Sequence, residues 1–387
     1  MDELKSFLPN DIKDENRKIV FEILLQNPEL AKVEITEKTT MSFVTVSKIV
    51  SFFEQIKLLS VSGESRDGSG GLGRKRSVYR FNENSYVTIG VQHIGKKILA
   101  VLVNLHSEVI STYTLDTNVP FHSEAFFEVF VDIINKMKAE AEAKNATIVG
   151  VGVGVDGAIN NRKKTIRMKI DESKEEDYPY EDIIQGLEEQ IGLPIILEND
   201  VNASTIAEFA NMDRFGNGPS DLVQIALGDG IGAGIMIDKK LHRGYNASAG
   251  ELEYMCFDPE HINTPLSVGW LESRLNIDYL SKHFGFEVAD IPEMSPADAE
   301  KCVDYISKHI ALAITNIISL LDINQIIVSG KTIILFSNHK IVEKIKGYVN
   351  RLTGWDPNIS ASFSKQSTAV GAAILSLQRE MSKVISG

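Results

Sequence analysis

The sequence predicts a mixed α/β chain: a small, mostly helical N-terminal module, then a larger body of two α/β lobes. Three observations carry that reading. The chain has 387 residues, more than one small core requires. Apolar residues recur at helical spacing through residues 14–55. From about Tyr86 the pattern changes to alternating strands with two glycine-rich turns, as in a two-lobed protein with a cleft.

Composition narrows the class. Hydrophobic residues make up 43% and charged residues 24%, ordinary for a soluble globular protein. No apolar run approaches a membrane span, and residues 1–10 lack a signal-peptide pattern, so no membrane partner is expected. Cys256 and Cys302 make neither a metal nor a disulfide framework, which implies a reducing, cytoplasmic setting. The net charge of −13 argues against indiscriminate coating of nucleic acid. That charge is uneven, however. Residues 1–82 hold 13 Lys and Arg against 12 Asp and Glu, so the remainder carries −14. Within 43–80 the balance is 7 basic to 3 acidic, which suits a DNA-reading module joined to an acidic body.

In residues 14–26, Ile19, Val20, Ile23 and Leu24 share one helical face, with Asp14 as the expected cap. A second short helix is expected over 31–38, then the turn Thr39-Thr40-Met41. Ser42 caps a third helix with Val46, Ile49, Val50 and Phe53 at core spacing. Two short helices joined by a tight turn form the helix-turn-helix pattern. Ser42, Phe43, Thr45, Ser47 and Lys48 then face outward near the start of the recognition helix. There hydroxyls and amides reach phosphates, and side chains reach base edges. Residues 58–62 and 77–81 alternate as two strands around a glycine-rich loop. Its Arg74, Lys75 and Arg76 are the cations a wing needs against phosphates or in a minor groove.

In the body, residues 87–94, 97–105 and 109–115 read as successive strands. A long amphipathic helix over 123–144 precedes another strand, TIVGVGVGV. Further on, PIILEND is a buried strand, VNASTIAEFANM a helix, and residues 221–244 a strand, glycine turn and strand. Helices dominate from Ile277, interrupted by the strand NQIIVSG and closed by the helix STAVGAAILSLQRE.

The stretches TVSKIV and GGLGRKRSVYRFN resemble the winged helix-turn-helix of ROK-family repressors, the sugar-responsive regulators, with Thr40 where those proteins usually have glycine. Three blocks extend the likeness over essentially the rest of the chain. They are LENDVNAS at 197–204, GDGIGAGIMIDKKLHRGYNASAGELEYM at 228–255, and TAVGAAILSL near the end. The resemblance implies an actin-like (sugar kinase, ribonuclease H-like) body. It divides the chain into a DNA-binding module at 1–82, a first lobe at 83–203 onto which helix 367–387 packs back, and a second lobe at 204–366.

The resemblance also implies a site. Asp200 matches the family's catalytic aspartate, with Asn199 beside it, and Glu251 matches its sugar-contacting glutamate. A carboxylate at 200 can take a proton from a hydroxyl or simply hydrogen-bond a bound sugar. Tyr254 stands at the family's histidine position, and Asp156-Gly157 where Pro-Gly is common; both reshape the sugar contacts. The nucleotide positions depart further. Active members carry Asp-X-Gly-Gly-Thr, but here the chain reads Gln92-His93-Ile94-Gly95-Lys96, losing the Mg²⁺ carboxylate and a glycine that lets backbone approach phosphate. Lys96 could serve as a substitute phosphate cation. Ser329 and Lys331 replace glycines of the nucleoside turn. Asp229 replaces a threonine, where its charge would repel a triphosphate. No ATP or Mg²⁺ is therefore expected. Nor is zinc, since residues 259–273 lack cysteine and Cys256 with His261 are too few ligands.

The expectation is a DNA-binding regulator of carbohydrate metabolism, a repressor rather than an enzyme. Operator DNA and a sugar effector are its partners, and paired half-sites imply a homodimer or higher homo-oligomer. The alternative is an ATP-dependent sugar kinase of the glucokinase or N-acetylglucosamine kinase type carrying a DNA-binding module.

Overall fold

The computed structural model describes residues 9–65, 76–94, 96–119, 124–160, 163–171, 174–214, 216–262 and 268–387. The head comprises α1 (Pro9–Gln26), β1 (Glu29–Ala31), α2 (Lys32–Thr39), α3 (Phe43–Gln55), β2 (Leu59–Ser65) and β3 (Arg76–Phe81). The strands form an antiparallel sheet in the order β1-β3-β2. Asp14 is not a cap, because α1 starts earlier, on a first turn that tolerates Pro9. Likewise α2 starts at Lys32 rather than Ala31. Ala31 instead ends a strand paired with β3, and its amide donates to Glu34 Oε2 at 2.6 Å. Ser42 does cap α3, its hydroxyl accepting from the Thr45 amide at 3.1 Å. Val46, Ile49, Val50 and Phe53 are all buried.

Thr40 closes α2 in the left-handed conformation, with φ of 58°. A β-branched residue there is strained, whereas glycine is not. Thr40→Gly should therefore raise the stability of the fold by about 1 kcal/mol, read as a higher unfolding midpoint.

The first half of the body runs β4 (Tyr86–Ile94), β5 (Lys97–Asn104), β6 (Val109–Asp116), α4 (Glu124–Ala143), β7 (Thr147–Val155), β8 (Ala158–Asn160), β9 (Thr165–Asp171), β10 (Lys174–Pro179), α5 (Glu181–Ile191) and β11 (Ile195–Asn199). The second half runs α6 (Asp200–Met212), β12 (Leu222–Leu227), β13 (Ile231–Ile237), β14 (Lys240–Leu241), α7 (Glu272–Leu275), α8 (Ile277–Phe284), α9 (Pro296–Leu321), β15 (Gln325–Ser329), α10 (Lys331–Leu335), α11 (Ile341–Thr353), β16 (Asn358–Ala361) and α12 (Ser367–Ser386). Among the described residues the body holds two five-stranded sheets, ordered β11-β7-β4-β5-β6 and β14-β13-β12-β15-β16. Each is an antiparallel three-strand meander extended by two parallel strands, so the two halves share one topology. The small sheet β10-β9-β8 was not expected from the sequence.

Helices α6 and α12 lie between the sheets, and their apolar residues Ile206, Phe209, Ala369, Ala373 and Ile374 share a core with Leu99, Leu222 and Ile327. Glycines make the approach close. A Cβ at Gly90 or Gly152 would sit 1.9 Å from a carbonyl oxygen of α12, and one at Gly371 would sit 1.6 Å from the Ala203 carbonyl oxygen. Backbone cannot yield as a flexible side chain can. Gly371→Ala should cost about 3 kcal/mol in chemical denaturation. Gly186→Ala, on α5 with nothing within 4 Å of the new methyl, should instead gain roughly 0.5–1 kcal/mol.

The far end of α12 closes the head. Leu377, Met381 and Ile385 join Val20, Leu24, Ile35, Val46 and Phe53 in one cluster. Arg17 of α1 stacks 3.5 Å over the Phe52 ring and donates to the Ile385 and Ser386 carbonyls at 3.0 and 2.7 Å. It thereby satisfies the last carbonyls of α12, the negative end of that helix. Tyr86 and His106 of the body make further bonds to the head, at the carbonyls of Ile56 and Leu25.

Candidate functional site

The carboxylate site forms where β11 gives way to α6. Asn199 caps α6, its Oδ1 accepting from the Val201 and Asn202 amides, both at 3.0 Å. Its Nδ2 donates to the Gly157 carbonyl and to Asp200 Oδ1, both at 3.1 Å. Gly157 has φ of 142°, and a Cβ there would lie 2.4 Å from the Arg167 carbonyl oxygen, so β9 fixes the turn that bears Asp156. The structure thus brings Asp156, Gly157, Asn199 and Asp200 together. Protein closely surrounds Asp200, and burial first, then the charge of Asp156, pushes its carboxyl up to about 7. Bonds from the Val201 amide and Asn199 oppose the rise.

Beneath this site runs a buried ion pair that the sequence did not reveal. Glu198, with 4% of its side chain exposed, receives Arg243 Nε at 3.0 Å and Nη2 at 2.5 Å on Oε2. Its Oε1 accepts from the Asn199 amide at 3.1 Å and from Asn202 Nδ2 at 3.2 Å. The pair ties β11 to the segment after β14. An acid inside the apolar strand IILEN was the one visible signal, since burial demands a partner for it.

Glu251 and Tyr254 approach from that same second half. Gly250 has φ of 94° and accepts from the Ala233 amide at 2.7 Å, while a Cβ there would lie 1.8 Å from the Ala233 carbonyl oxygen. The next strand residue back, Gly232, faces Val201. Val201 and Gly250, the chain neighbours of Asp200 and Glu251, therefore both pack on one stretch of β13. Both Glu251 and Tyr254 are exposed to solvent.

Most of the positions that the resemblance assigns to a nucleotide are engaged within the chain. Gln92 is buried, its Oε1 accepting from the Ala369 amide at 2.6 Å and its Nε2 donating to the Lys365 carbonyl at 2.9 Å. It staples β4 to the start of α12 and uses the donor that a carboxylate would lack. Ser329 receives Gln224 Nε2 at 2.8 Å between β12 and β15. Asp229 is not a bare negative charge, which corrects the expectation of simple repulsion: Lys331 Nζ lies 2.8 Å from its Oδ1. Lys96 is an exposed turn residue between β4 and β5, and Gly95 lies outside the described residues. Cys256 bonds the Asp258 carbonyl at 3.2 Å, and among the described residues no group of three or more His, Cys, Asp or Glu is placed to hold a metal. Among those residues, too, no helix is long and apolar enough to cross a membrane.

In the head, Ser42, Phe43 and Lys48 are exposed on α3, while Thr45 and Ser47 are half-buried. Val44, absent from the expected set, is exposed as well. Arg76 lies on β3, paired with Ser65. Arg74 and Lys75 lie outside the described residues.

Comparison with known proteins places this geometry. The ROK family model matches residues 88–266 and 272–379. A xylose repressor of Caldicellulosiruptor bescii is 28% identical over 243 residues, 62% of this chain and 58% of that protein. A glucokinase of Streptomyces coelicolor is 31% identical over 176 residues, 45% of this chain and 51% of that protein. The chain thus spans little more than half the length of these curated relatives. A solved ROK family transcriptional regulator, described as a homologue of the E. coli Mlc protein, superposes with a TM-score of 0.75 at 17% identity, covering 97% of this chain and 99% of that one. The mixed α/β body has the actin-like fold of such proteins, and with most of its length matched by the family model, the chain belongs to the ROK family.

Proposed function

We propose that the chain is a sequence-specific DNA-binding regulator of carbohydrate metabolism, a repressor whose cleft binds a sugar or sugar derivative as effector. On this reading residues 1–82 are a winged helix-turn-helix, residues 83–203 with 367–387 form one lobe, and residues 204–366 form the other. The carrying observation is α12. Its first turn is stapled to β4 by Gln92, its neighbour α6 begins at Asp200, and its last turn is gripped by Arg17 of the head. One helix therefore joins the carboxylate site to α1–α3. The xylose repressor relative and the regulator fold support the same reading.

In this role Asp156, Asn199, Asp200 and Glu251 accept or donate hydrogen bonds to sugar hydroxyls, and Tyr254 offers a ring and a hydroxyl at the rim. Gly157 lets the backbone come close. Nothing is transferred, because Gln92 and Asp229 are committed elsewhere. The protein works as a homodimer on paired half-sites, in the cytoplasm, without zinc or nucleotide. The survival of Asp200 and the glucokinase relative favour a second reading, a sugar kinase.

One experiment separates them. Duplex binding by the full chain is titrated against a panel of mono- and disaccharides while ATP consumption is followed in parallel. A sugar that shifts DNA affinity without consuming ATP supports the regulator. Sugar-dependent ATP consumption that Asp200→Asn abolishes would establish the kinase.

A further inference from the structure

The first turn of α3 presents an unusual surface. Phe43 is 52% exposed and Val44 64% exposed, two large apolar side chains side by side and each more than half open to solvent. The polar groups around them are spent locally. Ser42 Oγ accepts from the Thr45 amide at 3.1 Å and shares a 2.9 Å bond with Thr45 Oγ1. Helix α3 holds no Arg and no Asn, and its one Gln, Gln55, is at the far end. The side chains that commonly make paired bonds to guanine or adenine are thus missing from its leading turn. Lys48, exposed and four residues beyond Val44, shares that face, and residues 43–80 carry a surplus of positive charge. The occupant that fits is a polyanion with an apolar group on its reading edge. Among the bases in a major groove only thymine has one, its C5-methyl.

We propose, taking the DNA-binding reading as given, that Phe43 and Val44 are specificity-determining side chains that read thymine methyl groups in the major groove. Lys48 pairs with phosphate beside them, and Ser42 and Thr45 serve mainly to hold the turn.

The test uses the full chain. A duplex is selected from a randomised pool, then resynthesised with deoxyuridine replacing each thymine in turn, which removes only the methyl. At the positions read by Phe43 and Val44, wild-type affinity should fall roughly five- to tenfold. Phe43→Ala and Val44→Ala, both at exposed positions, should bind the parent duplex as weakly and ignore the uridine at the position each one reads. Their slope of affinity against salt should stay unchanged, whereas Lys48→Ala should flatten it by about one counterion. Uridine tolerance by wild type at every position, or variants as uridine-sensitive as wild type, would overturn the inference alone. Failure to enrich any duplex would overturn the DNA-binding reading, and the inference with it.

Discussion

Arg243→Met should destabilise the protein by about 3–5 kcal/mol at neutral pH, among the largest single-residue effects in the chain. The variant strands Glu198 Oε2 in an interior where only 4% of its side chain meets solvent. The mirror change is milder. Glu198→Gln leaves Arg243, a third of whose side chain is exposed, free to reach water, and should cost about 1–2 kcal/mol. The asymmetry is the signature of a buried acid held by a more accessible cation. Urea unfolding of both single variants and the double variant measures this. Equal costs for the two single changes would show that the pair is not buried asymmetrically.

Asp200 should make stability fall as pH rises from about 4 to 7. Its carboxyl, pushed up to about 7 in the fold, has an ordinary value near 3.9 in an unfolded chain. Between those values the folded protein holds the proton more tightly, so the contribution is fully present below the lower value and lost as pH passes the higher. The effect can reach on the order of 4 kcal/mol. Asp200→Asn carries no such proton and should flatten that part of the profile. Thermal unfolding of wild type and variant across pH 4–8 reads the difference directly. Hydrogen bonds from sugar hydroxyls would favour the ionised form and so recover stability at the alkaline end.

Much of this architecture was legible because local patterns dictated it. The helical period alone buries Val46, Ile49, Val50 and Phe53, and Ser42 caps through bonds within its own turn. The strands β4, β5 and β7 read clearly because each is a largely apolar run bounded by turns, and β6 because Ser111, Tyr113 and Leu115 alternate with exposed residues. Asp14 misled because a polar residue ahead of an apolar run looks like a cap even when the helix extends another turn. The sheet β8–β10 escaped notice because its strands are charged and do not alternate cleanly. At the site, the cluster of Gly157, Asn199 and Asp200 followed from motif likeness. Arg243 with Glu198, Lys331 with Asp229, and Arg17 with the end of α12 could not be read, because topology alone brings such distant residues together.

The helix that completes the head bears on how the head can be handled. A fragment cut after residue 82 would carry Val20, Leu24, Ile35 and Phe53 without the Leu377, Met381 and Ile385 side chains that cover them. It would also strip the Arg17 guanidinium of the two α12 carbonyls to which it donates. The module is therefore not a portable cassette. Transplanting it onto another body requires bringing about the last three turns of α12 along, from Leu377 onward, as a tether or as a separate peptide. Any change that unseats those turns exposes apolar surface on both pieces at once.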